Sequence, residues 1–187
     1  MAFLRTLTHH AAVQPVRIMV ASCCLIAATF SPVATARAAA ANEYQIKAAF
    51  LFNFAKFVGW PANAFADANT PLVIGVLGQD PFGSYLDDTI RGERVDNRQL
   101  VVQRYRNPGE IKNCHVLFIS RSEAGRLNQI VSSLKYRNVL IVTDADGGDG
   151  GVIIRFVNEG NRIRFKIDAQ AAKAANLTIS SKLLRLG

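Results

Sequence analysis

Leu72-Val-Ile-Gly-Val-Leu77 is an unbroken run of apolar and small residues. A strand with one wet face alternates apolar and polar side chains. A run without polar alternates reads instead as a strand buried on both faces, the habit of parallel sheets covered by helices. Cys114-His-Val-Leu-Phe-Ile119 repeats the pattern, and Asn138–Thr143 is a further strand. Pro81 is placed to open a helix through about Ile90, and Gln99–Tyr105 reads as a strand broken by Asn107-Pro-Gly109. Ser120 with Glu123 fits a capping box, and the helix behind it is expected to reach about Lys135. Its apolar face is Leu127, Ile130, Val131 and Leu134. Val152–Val157 and Arg162–Ile167 flank the turn Asn158-Glu-Gly-Asn161 as a hairpin. A helix over Ala169–Ala175, an extended Leu177–Ile179 and an amphipathic tail over Ser180–Leu186 complete the chain. Strands alternating with helices predict an α/β fold: a single layered domain with a mixed, mainly parallel sheet of about six strands flanked by helices.

Upstream stands Glu43-Tyr-Gln-Ile-Lys-Ala-Ala-Phe-Leu-Phe-Asn-Phe-Ala-Lys-Phe-Val-Gly-Trp-Pro61. Ile46, Phe50, Phe54 and Phe57 recur at spacings of four, four and three, which predicts a helix over residues 43–58 with one apolar stripe. Leu51, Ala48 and Ala55 widen the stripe; Lys47, Asn53 and Lys56 are its polar remainder. Gly59 and Pro61 end the helix, and Trp60, preceding a proline, is held extended. With Phe52 off the stripe, the helix is apolar on more than one side. That excess points to a dimer or partner surface.

Residues 1–40 read as a cleavable export signal. Arg5 and Arg17 precede an apolar or small segment, Ile18–Phe30, and Ala34–Ala40 offers small-x-small cleavage sites. The apolar segment is shorter than the roughly 20 residues a bilayer-spanning helix needs. Residues 41–187 form the expected mature, periplasmic domain. Three of the 22 basic residues lie in the leader and all 14 acidic residues follow it, so 19 basic against 14 acidic leaves the mature chain at +5. The basic residues are scattered, and nucleic acid is not the expected partner. Cys114 is the one cysteine after the leader, so no intrachain disulfide is expected there.

The chain after the leader carries few groups suited to catalysis or metal binding. His115 is the one histidine after the leader, and its neighbour Cys114 points to the opposite face of a strand, so the two do not grip one metal. Asp144-Ala-Asp-Gly-Gly-Asp149 invites a calcium reading. It has Asp149 where an EF-hand needs glycine and Arg155 where it needs a bidentate glutamate, so it reads as a solvated acidic turn. No Gly-x-Ser-x-Gly setting surrounds any serine, so no catalytic residue, cofactor or metal is assigned. Arg162 and Arg164 share one face of their strand, as an anion-binding patch or as charge protecting a sheet edge.

Several segments, in order, resemble the YfiR-like family of small exported bacterial proteins. They are residues 46–61 of the helix above, Gly78-Gln-Asp-Pro-Phe-Gly83, Cys114–Ile119, Gly150-Gly-Val-Ile-Ile154, Arg162-Ile-Arg-Phe-Lys-Ile-Asp168 and Ile179-Ser-Ser-Lys-Leu-Leu-Arg-Leu186. The resemblance implies a non-enzymatic periplasmic repressor. Such a protein contacts the periplasmic sensor portion of an inner-membrane diguanylate cyclase, lowers cyclic-di-GMP and biofilm formation, and can dimerise. The pairing cysteines of some relatives have no counterpart in residues 144–151, so redox control by an internal disulfide does not carry over. The expected contact residues are Phe50, Phe54, Phe57, Trp60, Leu183 and Leu184. The alternative is a periplasmic module that senses a small anionic ligand, with Arg162 and Arg164 as the anion site, and acts on another membrane signalling protein.

Overall fold

The structure is a computed structural model and describes residues 32–134, 137–148, 150–160 and 162–187. The charged and apolar regions of the expected leader, Arg5 to Phe30, lie outside the described residues. Helix α1 spans Pro32–Phe57, so its first turns carry the expected cleavage sites. Strand β1 (Val58–Gly59) follows it, then a 3-10 turn at Ala62–Ala64. Next come β2 (Leu72–Leu77), α2 (Tyr85–Ile90), β3 (Arg94–Val95), β4 (Arg98–Tyr105) and β5 (Val116–Ile119). A 3-10 segment, Arg121–Arg126, leads into α3 (Leu127–Ser133). After β6 (Leu140–Thr143), β7 (Ile154–Glu159) and β8 (Arg162–Ile167) come α4 (Ala169–Ala174), β9 (Thr178–Ile179) and α5 (Ser181–Leu184).

The main sheet has seven strands in the order β3-β4-β2-β5-β6-β7-β8. Strands β4, β2, β5, β6 and β7 are mutually parallel; β3 and β8 are antiparallel edges. Chain order reverses between β2 and β5, the switch point of a doubly wound sheet. The unbroken apolar runs have the predicted cause. Ile74, Val76, Val116, Phe118, Leu140 and Val142 face a core closed by Leu51 and Phe54 of α1 and Leu86 of α2. Leu77, Leu117, Ile119 and Ile141 face a second core closed by Leu127, Ile130 and Val131 of α3.

Three expectations change. The buried face of α1 is Lys47, Ala48, Leu51, Phe54 and Ala55: Phe54 and the residues expected to widen the stripe are in the core, while Ile46, Phe50 and Phe57 lie off its centre. Ile46 is 41% exposed while Lys47 is fully buried. Two small side chains, Ala48 and Ala55, let the helix lie close on the sheet at this face. The second change is the hairpin β3–β4, which sequence reading passed over. Its turn uses Asp96 and Asn97 at φ 50° and 63°, the left-handed pair of a tight hairpin. The third concerns Ser120, whose hydroxyl accepts from Ser122 N–H at 3.4 Å while Glu123 pairs with Arg126 instead of closing a capping box.

Gly75, in the middle of β2, sets how closely the second core packs. A Cβ there would stand 2.7 Å from both Cys114 Sγ and a ring carbon of Tyr105. Gly75→Ala is expected to lower stability by about 1–3 kcal/mol through overpacking, read as a lower denaturant midpoint with an unchanged slope.

Candidate functional site

An open α/β sheet ordinarily binds ligands outside the carboxyl ends of its strands, and the carboxyl ends of β5 and β6 stand next to the switch point. Here that place is filled from α1. A helical side chain leans back toward the helix N-terminus, and Lys47 does so into the core. Its Nζ lies 2.6 Å from Oδ2 of Asp144, the first residue after β6, and 2.5 Å from Oε1 of Glu43 one turn back. Lys47 is fully buried and the Asp144 side chain is 1% exposed. Tyr44 donates its hydroxyl to the same Oδ2 at 2.9 Å. Arg121, just past β5, donates Nε to the Asp144 carbonyl at 3.0 Å and reaches its carboxylate at 3.5 Å. Asp144 Oδ1 is buried with no hydrogen-bond partner among the described residues.

Two positive and two negative side chains therefore close a neutral cluster, the arrangement a buried lysine requires. Aromatic faces complete its surroundings: the ammonium stands 4.6 Å from the Tyr44 ring centre and 5.6 Å from that of Phe156. Burial alone would raise the Glu43 carboxyl. The Lys47 hydrogen bond and the charges of Lys47 and Arg121 outweigh it and hold the group below its ordinary range. Burial, then the Asp144 charge, pushes the Tyr44 phenol up. The reading of residues 144–149 as a solvated acidic turn fails at Asp144, which is buried because a lysine 97 residues away needs a counter-charge. Arg155 supplies the cation for the rest of the loop, donating to the carbonyls of Ala145 and Gly148.

His115 and Cys114 have structural surroundings. His115 Nδ1 accepts from Val73 N–H at 3.1 Å, so the proton sits on Nε2, which donates to the Ala64 carbonyl at 3.1 Å. Phe65 stacks on the ring at 4.4 Å, and burial lowers the pKa. Cys114 donates to the Val116 carbonyl, and burial pushes its thiol up to about 12. Such a thiol is not a nucleophile at neutral pH. Among the described residues no group of three or more His, Cys, Asp or Glu is placed to hold a metal ion.

The six residues expected at a partner surface divide. Phe54 and Leu183 lie in the core, at 0% and 2% exposure. Phe50, Phe57 and Trp60 are half-buried against that core. Phe50 packs on Phe54, Phe156 and Phe165, and the Trp60 indole nitrogen is buried without an acceptor among the described residues. Leu184 is open to solvent at 44%. Ile46, and Leu186 of the amphipathic tail, are open as well, Leu186 at 62%. The structure brings Ile46, Phe50 and Leu186 together with Ile163, Phe165, Arg162 and Arg164 along a groove of about 510 Å³. Both arginines are exposed, and Arg164 is 3.6 Å from Glu159. No local signal marks this face: Ile46 and Lys47 stand about 100° apart on the wheel, and Asp144, far along the chain, is what draws Lys47 inward.

A family model described as YfiR/HmsC-like matches residues 44–187, most of the chain. Members of that family are periplasmic regulators of diguanylate cyclases. No curated protein matches the chain. No helix among the described residues is long and apolar enough to cross a membrane.

Lys47→Met removes the buried cation in contact with Asp144, leaving it the exposed Arg121 at 3.5 Å, and is expected to cost about 3 kcal/mol in chemical denaturation. Adding Asp144→Leu should recover most of that loss, because it removes the stranded charge. Acid has a separate, calculable effect at His115. Its folded pKa lies below the unfolded value of about 6.5, so its stabilising contribution is complete above that pH. It declines as pH falls toward the folded pKa, by at most about 1.4 kcal/mol per unit. Unfolding curves from pH 7.5 down to 4.5 should show the decline, and His115→Gln should flatten it.

Proposed function

This chain belongs to the YfiR/HmsC-like family, and on that footing we propose that it is a periplasmic repressor of an inner-membrane diguanylate cyclase, delivered by a signal peptide cleaved near Ala36–Ala40. It binds the exported sensor portion of the cyclase in its inactive conformation and shifts that population, which lowers cyclic-di-GMP and biofilm formation. The chemistry is recognition, with no substrate transformed.

The observation that carries the reading is the exposed apolar set Ile46, Leu184 and Leu186 beside half-buried Phe50. Isolated exposed leucines are ordinary. Ile46 and Leu186 sharing one groove, rimmed by arginines, is the composition of a contact surface. Of the contact residues expected from sequence, Phe50 lines this groove and Leu184 is exposed. Phe54 and Leu183 are core residues, and Phe57 and Trp60 are half-buried. A homodimer through part of the same apolar surface is compatible with this role. The anionic-ligand alternative is less well supported, since Arg162 and Arg164 stand on an exposed strand instead of lining a closed pocket.

In cells carrying the cyclase, Ile46→Glu with Leu186→Glu is expected to raise cyclic-di-GMP toward the level of a deletion strain. Export and melting temperature should stay unchanged, because both side chains already face water. Full repression by this folded variant would contradict the reading.

A further inference from the structure

The geometry points to strand addition: β8 accepts an extended segment of the partner whose side chains alternate between apolar and acidic. The inference rests on the reading that this face engages a partner, and it specifies the partner's chemistry.

β8 is the last strand of the seven-stranded sheet, and among the described residues no strand pairs with its far side. Which of its backbone groups bond inward follows from its register and the bond just past its end. Asp168 N–H donates to the Ile153 carbonyl at 2.8 Å, and Ile154 stands opposite Ile167. In an antiparallel ladder the residues that bond inward alternate with those that bond outward. Arg162, Arg164 and Lys166 therefore bond to β7, and the N–H and C=O groups of Ile163, Phe165 and Ile167 face the open edge. The groove lies along this edge.

Side-chain chemistry selects the occupant. An added strand presents alternate side chains to the two faces of the sheet. On the α1 face it meets Ile46, Phe50 and Leu186, which calls for apolar residues. On the other face it meets Arg162, Arg164 and Lys166, all exposed, which calls for carboxylates. A second copy of β8 in this place would set arginine and lysine against arginine and lysine, which is destabilising. The same charges that keep the chain from pairing with itself admit an acidic strand.

The test uses the full mature chain, labelled for NMR, and a synthetic seven-residue peptide alternating valine and glutamate, added to millimolar concentration. Three control peptides are run beside it: the same composition in blocks, a lysine-for-glutamate version, and a version N-methylated at alternate residues along the edge that would pair. The alternating acidic peptide should slow amide exchange at Ile163, Phe165 and Ile167 and leave that at α3 unchanged. Each control should bind about tenfold more weakly or worse. R162E/R164E should invert the preference toward the lysine peptide. Absence of binding, or binding that N-methylation leaves intact, would overturn strand addition. So would protection of the same amides by raised protein concentration alone, which would make a second copy the occupant. The assay contains no cyclase. A negative result here beside a positive cyclic-di-GMP phenotype would therefore remove strand addition and leave the regulatory role standing.

Discussion

The contact on which the rest of the structure depends is the buried pair of Lys47 and Asp144, 2.6 Å apart. An ammonium in a core of aromatic and aliphatic side chains is tolerable only with a counter-charge in hydrogen-bonding contact. The pair therefore fixes three things together. It sets the rotation of α1 about its axis, it ties α1 to the carboxyl end of β6, and it fills the carboxyl side of the sheet beside the switch point. The outward direction of Ile46 and the half-buried seat of Phe50 are consequences of that rotation. Whether such a pair adds net stability is secondary; its effect here is to specify one seating of the helix over others.

The family's regulatory role and the shape of the molecule agree in a physical sense. A repressor that works by population shift needs differential affinity for two states of its partner, and it needs a surface that holds still while the partner changes. The parallel centre of the sheet, β2, β5 and β6, buried on both faces, supplies the stillness. In the proposed role, the surface is the open edge of β8, the outer flank of α1 and the C-terminal tail, which meet at the groove.

Much of the fold was legible because its strands are locally overdetermined. Leu72–Leu77 and the apolar part of Cys114–Ile119 have no polar alternates to hide which layers cover them, and both lie at the centre of the sheet. The hairpin of β7 and β8 announces itself by turn chemistry. What was not legible is non-local. Ranking side chains by apolarity puts Ile46 inward and Lys47 outward, and only Asp144, 97 residues on, reverses the order. The same distance hid the role of Asp144, which sits in a stretch of aspartates and glycines that reads as solvent-facing. The two-residue strand β3 was missed because two residues carry no period. Phe54 and Leu183 were expected at a surface because residue type alone does not tell a core aromatic or leucine from a contact one.

The most direct measurement of the central claim is photo-cross-linking in cells. A photoreactive residue is placed singly at Ile46, at Leu186, or at Gln129, an exposed position on α3 over the other face of the sheet. The account predicts that positions 46 and 186 capture the exported portion of a membrane diguanylate cyclase and that position 129 does not. Capture of the cyclase from position 129 alone would contradict it.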